Sequence, residues 1–342
     1  MGQVSMIGID LSKRSFQLHG AAADGSVVFR KALSREKLLP FLAGQAACVV
    51  AMEACGGAHH WGREIGKLGH EVRLVPPVYV KPFVKRQKND AADAEAICEA
   101  ASRPTMRFVA VKGKAQQGRG MLFRVRDLLV GQRTQAINAL RGHLAEFGLV
   151  APQGPAHVAR LARVLEDADA DLPELVRDLG AVLLEQIAVL DGRIAALDKE
   201  LAAQVRQDAA ARLLMTIPGV GPVTAMALLA LAPPLAEFRR GRDLSAWLGL
   251  VPRQHTTAGK PRLGKISKMG QRDLRRLLVC GAMSVIQNAV RRGGTIDDPW
   301  LADMLARKPR KLVAVALANR MARIAWAVTT RQESYRAPAP AA

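Results

Sequence analysis

The sequence predicts an α/β segment at the N-terminus followed by all-α structure, within one chain of 342 residues. Two patterns and one charge imbalance predict this. Short apolar runs of strand type alternate with helical stretches over residues 1–110. Past residue 115 the strand pattern stops and apolar residues recur at heptad-like spacing. From Ala211 onward there are 22 Lys/Arg against 7 Asp/Glu, so most of the formal net charge of +20 lies in the last third. These shifts divide the chain into an α/β domain (1–110), a helical region (111–210), a mostly helical basic domain (211–332) and a disordered Ala/Pro-rich tail (333–342).

The first strand is expected at Val4–Asp10, an apolar run. Ser15–Ala21 and Ser26–Arg30 pair with it as hairpin partners, with Asp24-Gly25 marking the second turn. Cys48–Met52 reads as a buried strand, and Glu71–Val75 as another that Pro76-Pro77 must stop. Helices are expected at Arg35–Ala43, Gly57–Leu68 and Asp90–Ala101, the last ending before Pro104.

In the middle region the seam runs through Leu122, Val125, Leu129, Ile137, Leu140 and Leu144, and breaks at Pro152–Pro155. It resumes through Leu183, Ile187, Leu190, Ile194, Leu197 and Leu201. Long helices with such seams pack on each other or on a partner chain. Aromatic residues are only 4% of the chain, so its cores must rest on Ala, Leu, Val and Ile.

The charge of +20 and a pI near 10.6 imply a polyanionic partner, nucleic acid first and an anionic membrane surface second. No apolar run reaches the ~18 residues that span a bilayer. Met1–Asp10 lacks the features of a signal peptide. A cytoplasmic protein without a membrane partner is expected. Cys48, Cys55, Cys98 and Cys280 form no CxxC pair, so buried thiols are expected rather than a zinc site.

Four carboxylates stand out. Asp10 and Glu53 each follow an apolar strand run, and Asp90 and Asp93 lie three apart on one helix face. Ligand sites of α/β sheets form at strand ends. Such a set suits Mg²⁺, which takes carboxylate oxygens and keeps waters for substrate phosphates. The plainer alternative is a solvated strand end at Asp10 and a dipole-favoured helix start at Asp90. Glu53 resists it, because four apolar residues precede it directly.

Leu213–Leu231 contains two apolar helical stretches around Ile217-Pro218-Gly219-Val220-Gly221. Gly219 and Gly221 permit a tight turn and let backbone N–H groups approach a phosphate, as in a helix–hairpin–helix. The alternative is an ordinary αα turn. Next, Arg253 to Arg276 holds eight basic residues and one acidic one, a density that marks a polyanion contact. They are Arg253, Lys260, Arg262, Lys265, Lys268, Arg272, Arg275 and Arg276. Gly and Pro make the first half a loop or hairpin, and Arg272 opens a helix. Thr256 and Thr257 lie in that loop, where a hydroxyl can contact a phosphate or attack it; contact is the commoner case.

Taken in order, these motifs resemble the DEDD transposases of the insertion-sequence one-hundred-ten family. The set is Ile7-Gly8-Ile9-Asp10, Met52-Glu53-Ala54, Lys88-Asn89-Asp90-Ala91-Ala92-Asp93-Ala94, Ile217–Gly221 and Gly249–Arg253 with Ile266-Ser267-Lys268 and Leu274-Arg275-Arg276. It is most similar to the eleven-eleven subgroup, which is related to pilin-gene DNA invertases. The resemblance implies a RuvC-like ribonuclease-H fold in which Asp10, Glu53, Asp90 and Asp93 hold Mg²⁺. It implies a dimerising coiled coil, and a C-terminal hydroxyl that forms a covalent phospho-enzyme link with DNA. It implies a non-coding bridge RNA that guides the protein to donor and target DNA, and dimers that assemble into a tetramer at the nucleoid. The family carries Ser-Gly in the loop where this chain has Thr257-Ala258. Thr257 is therefore the first candidate nucleophile and Thr256 the second, with Ser267 and Ser245 behind them. Two other readings stay open: a metal-dependent nuclease or junction resolvase in which water attacks, and an inactive relative that only binds nucleic acid.

Overall fold

Short strands need crossovers to run parallel and only turns to run antiparallel, and the N-terminal segment uses both. β1 (Met6–Leu11), β2 (Ser15–Ala21) and β3 (Val27–Ser34) form an antiparallel meander. β4 (Val49–Glu53) pairs parallel with β1, and β5 (Glu71–Val75) pairs parallel with β4. The sheet order is β3-β2-β1-β4-β5. Helices α1 (Leu38–Ala43) and α2 (Ala58–Lys67) supply the crossovers. β3 outruns the expected Ser26–Arg30, because Lys31–Ser34 finds partners on β2 down to Ser15. Such pairing overrides the weak strand preference of Lys and Ala. Pro76-Pro77 does end β5, and Pro77 opens the short α3 (Pro77–Val80).

The computed structural model describes residues 3–85, 89–291 and 298–337. Lys88, at the head of the Lys88–Ala94 motif, and residues 338–342 of the expected tail lie outside them. The chain forms two compact units, Met1–Ala115 and Gln116–Ala342.

In the first unit, Ile7, Ile9, Val50 and Met52 are fully buried with Trp61 and Ile65 of α2 on one side of the sheet. Helix α4 (Asp90–Ala101) lies against β1 and β2 and buries Ala96, Ile97 and Ala100. Gly8 makes this approach possible, since a Cβ there would run into the carbonyl of Ala94.

In the second unit, α5 (Lys114–Ala145) and α7 (Glu174–Gln207) run antiparallel, joined through α6 (Val158–Glu166). Ion pairs mark the direction: Arg126–Asp198 and Arg133–Asp191, at 2.5 Å each, and Arg119–Asp208, at 2.8 Å, with Asp208 just past the end of α7. As the α5 residue number rises, its partner's number falls. Ile137, Leu140, Leu144 and Ile187 of the expected seam are buried with Leu161 and Leu165 of α6. Much of the heptad pattern is thus satisfied within the chain.

The C-terminal core is built from α8 (Ala209–Met215), α9 (Pro222–Leu231), α10 (Gly241–Trp247), α11 (Arg272–Arg291), α12 (Pro299–Arg307) and α13 (Arg310–Arg331). α9 is apolar on all sides and correspondingly buried. α13 is long and apolar enough to cross a bilayer, contrary to the expectation that no such run exists. It nevertheless packs as a core helix, burying Val313, Leu317, Met321 and Ala325 against α10 and α11. Of the four cysteines only Cys98 is buried; Cys48 and Cys55 are half-buried, and Cys280 is exposed on α11, contrary to the expectation of buried thiols.

Candidate functional site

Asp10 and Glu53 reach the same end of the sheet because β1 and β4 run parallel in register, Ile9 facing Met52. The third and fourth carboxylates arrive on α4. Asn89 starts that helix with its side chain accepting from the Ala91 N–H at 3.0 Å, which fixes Asp90 and Asp93 in the first turn. Carboxylate oxygens of Asp10, Asp90 and Asp93 lie within 4.8 Å of one another. Glu53 stands outside that trio but is electrostatically part of the group.

The electrostatics record the crowding. The Asp10 carboxyl is pushed up to about 6, by burial first and then by Asp93, Asp90 and Glu53, against one backbone hydrogen bond from Leu11. Glu53 is raised by burial and by Asp93. Among the described residues, no Lys or Arg forms an ion pair with any of the four. A concentration of negative oxygen donors with no ion pair among the described residues fits a hard divalent cation.

A residue that the sequence did not single out anchors this arrangement. Glu95, two residues after Asp93, accepts from Arg30 of β3 at 2.9 Å and from Lys85 at 2.5 Å. It ties the start of α4 to the sheet edge and to the preceding segment. One acidic residue in an Ala-rich helix carries no signal of such a role.

In the second unit, α8 and α9 form the expected helical hairpin around Pro218–Gly221. Gly219 has φ +85° and packs directly on the backbone of Gly281 in α11, where neither residue has room for a Cβ. Gly221 is extended and faces open space, and Pro222 opens α9.

The basic segment is a hairpin of β6 (Pro252–Gln254) and β7 (Leu263–Ile266). Its tip is the turn Thr257-Ala258-Gly259-Lys260, closed by Lys260 N–H donating to Thr257 O at 3.0 Å. Ala258 and Gly259 both have positive φ, 49° and 76°, the signature of a type I′ turn. Thr256 and Thr257 are exposed there, as are Lys260, Arg262, Lys265, Lys268 and Arg272.

The other expected cations have partners within the protein. Arg253 donates to Ser267 O at 3.2 Å. Arg275 donates through Nη1 to Leu248 O at 2.8 Å and Met269 O at 3.2 Å, clamping the two ends of the hairpin segment. Burial and neighbouring Arg272 lower its pKa. Arg276 pairs with Asp127 of α5. Lys268 holds a left-handed φ of 55°, with its N–H donating to Gly249 O at 3.1 Å. Such strain in a non-glycine residue persists only where its surroundings enforce it.

Comparison with known proteins matches this layout. A sequence model of the Transposase IS116/IS110/IS902 family matches residues 211–294, and a second transposase model matches residues 7–148. The chain is 47% identical over 97% of its length to "Probable family 20 transposase" of Pseudomonas aeruginosa, covering 99% of that protein. It is 44% identical to the transposase for insertion sequence element IS1328 of Yersinia enterocolitica, covering 97% of this chain and 98% of that one. It is 38% identical to the transposase for insertion sequence element IS1111A of Coxiella burnetii, covering 98% and 92%.

Proposed function

The chain belongs to the IS110 transposase family, and we propose on that premise that it cuts and rejoins donor and target DNA through a covalent protein–DNA intermediate. The observation that carries the proposal is the meeting of the Asp10, Asp90 and Asp93 oxygens within 4.8 Å. The sheet order β3-β2-β1-β4-β5, a meander continued by parallel strands, supports a RuvC-like ribonuclease-H reading of the first unit.

Asp10, Asp90 and Asp93, with Glu53 beside them, would hold divalent magnesium. A bound divalent ion supplies Lewis-acid polarisation of the scissile phosphate. The protein's own residues do the rest. Exposed Lys260, Arg262 and Lys265 bind the phosphate backbone around the hairpin tip. The open face at Gly221 admits a further phosphate beside the start of α9. The Thr257 hydroxyl attacks phosphorus: its Oγ–P bond forms as its O–H bond and one sugar O–P bond break, and the proton it gives up passes through solvent to the departing sugar oxygen. Attack of a sugar hydroxyl on the phosphothreonine reverses the exchange and rejoins DNA. Thr256 is the alternative nucleophile.

The partners follow the same reading. Leu175, Leu179 and Val182 form an exposed apolar stripe on α7 at 4- and 3-residue spacing. That stripe supports a coiled-coil contact with a second copy, and hence the dimer that builds a tetramer. The basic excess after Ala211 supports a guide RNA as well as DNA, with the protein at the nucleoid.

The test is a denaturing gel with labelled DNA carrying the element's end. A protein–DNA adduct is expected, retained in Thr257→Ser and lost in Thr257→Ala. Cleavage without any adduct would instead establish attack by water. Unchanged DNA processing in Asp10→Asn and Glu53→Gln would defeat both enzymatic readings.

A further inference from the structure

The turn between α12 and α13 reads Arg307-Lys308-Pro309-Arg310-Lys311, four cations in five residues, all exposed. Arg307 pairs with Asp303 one turn back on α12. Among the described residues, Lys308, Arg310 and Lys311 have no ion pair. The first turn of α13 contains no acidic residue. Cations crowded at the positive end of a helix repel it and one another, so this cluster lowers the stability of the free protein. It also lies past residue 294, where the family match ends, and past the basic hairpin.

α13 ties the cluster to the hairpin mechanically. The Asn319 side chain donates to Leu250 O at 3.1 Å, next to the first hairpin strand, and Ser245 Oγ donates to Asn319 O at 3.2 Å. Nine residues separate Arg310 from Asn319, about 14 Å along the helix axis. Phosphates of one strand of duplex DNA recur every ~3.4 Å along the axis. A duplex lying along α13 would therefore span the turn and the hairpin root in roughly four base pairs, so that one polynucleotide could reach both.

We propose that the α12–α13 turn is a second phosphodiester-backbone contact, in which Lys308, Arg310 and Lys311 bind the same nucleic acid that the basic hairpin holds. The contact reads no bases, since it offers charge alone. It rests on the reading that this protein works on DNA. An anionic membrane is the competing polyanion, and the burial of α13 in the core argues against it.

The experiment uses the full chain with Lys308→Gln, Arg310→Gln and Lys311→Gln combined. Binding to duplex DNA, to a folded RNA and to vesicles containing phosphatidylserine is measured over a salt series. On duplex DNA the slope of log K against log salt should flatten by about 0.9 per lost contact, about 2.7 for three. Flattening with DNA identifies flanking DNA as the source of the phosphates; flattening with RNA alone identifies the RNA. The variant should melt no lower than the parent, since it removes repulsion from a helix start. Unchanged slopes with both polymers, or loss of vesicle binding alone, would overturn the proposal. Lys265→Gln in the hairpin is the control, expected to flatten the DNA slope by about 0.9 on its own. If only the turn variant flattens it, the turn is a phosphate contact but the nucleic acid shared with the hairpin is refuted. If only Lys265→Gln does, the hairpin reading survives and this inference falls.

Discussion

Replacing Asp10 by Asn in the metal-free protein should make it more stable, not less. Asp10 is half-buried among three other carboxylates, and its folded pKa is about 6 against an ordinary 3.8. That difference corresponds to roughly 3 kcal/mol, at ~1.36 kcal/mol for each tenfold change in proton affinity. Solvent screening of the partly exposed site reduces this to about 1–2 kcal/mol. The sign follows from which protonation state the fold prefers. The fold binds this proton more tightly than the unfolded chain does, so stability is greatest below 3.8 and falls as pH climbs to about 6. Above that it stays level, carrying the full penalty. Asn has no charge to repel and can still accept the Leu11 N–H. In chelator at pH 8, the N-terminal unit of Asp10→Asn should melt about 5–10 °C above the parent. The gap should close as pH falls toward 4. Saturating divalent metal should reverse the order, because the parent, with its full set of carboxylates, gains more binding energy than the variant. A variant that melts lower than the parent in chelator at pH 8 would refute the reasoning, and with it the idea that the carboxylates are held together against their own repulsion.

Three further outcomes are expected. Mn²⁺ affinity by calorimetry should weaken below about pH 6, by up to tenfold per pH unit, since Asp10 must lose its proton to bind; a pH-independent affinity would remove Asp10 from the coordination set. Ala258→Gly should relieve a left-handed alanine worth about 1 kcal/mol and slow amide exchange at Lys260 by roughly fivefold, whereas faster exchange would show the turn to be unstrained. Arg275→Ala should cost about 1–3 kcal/mol of stability, because it strands the Leu248 and Met269 carbonyls. Arg276→Ala should cost under about 1 kcal/mol, as expected for its exposed pair with Asp127; equal losses in the two variants would contradict this division of roles.

Local chemistry made the strand ends legible. Ser15–Ala21, Glu71–Val75 and Asp90–Ala101 have the bounds that turn residues, prolines and a capping Asn dictate. Asp10 and Glu53 were recognisable because a charge directly after an apolar strand has few other places to be. What the sequence hid was long-range. Gly8 is an ordinary strand glycine until α4 lies on it, and Gly219 and Gly281 are 62 positions apart yet touch backbone to backbone. The α6 helix at Val158–Glu166 follows a Pro/Gly break that reads as loop, and its apolar face shows only once α5 and α7 enclose it.

The same distinction bears on the basic segment, where charge density is a poor guide to individual roles. Eight cations between Arg253 and Arg276 look equivalent in sequence. In the structure, Arg275 donates to two backbone carbonyls and Arg276 to a carboxylate, while Lys260, Arg262 and Lys265 are exposed around the hairpin tip with no ion pair among the described residues. An arginine suits the clamp because its planar fork reaches two acceptors at once. Lysine at 275 keeps the charge and loses that geometry. Arg275→Lys should therefore loosen the hairpin while leaving the net charge, and hence the long-range attraction for nucleic acid, intact. Measured as salt dependence, it should keep the slope but lower the affinity at every salt concentration, with faster amide exchange at His255 and Ser267. A flattened slope instead would mean that Arg275 touches phosphate itself.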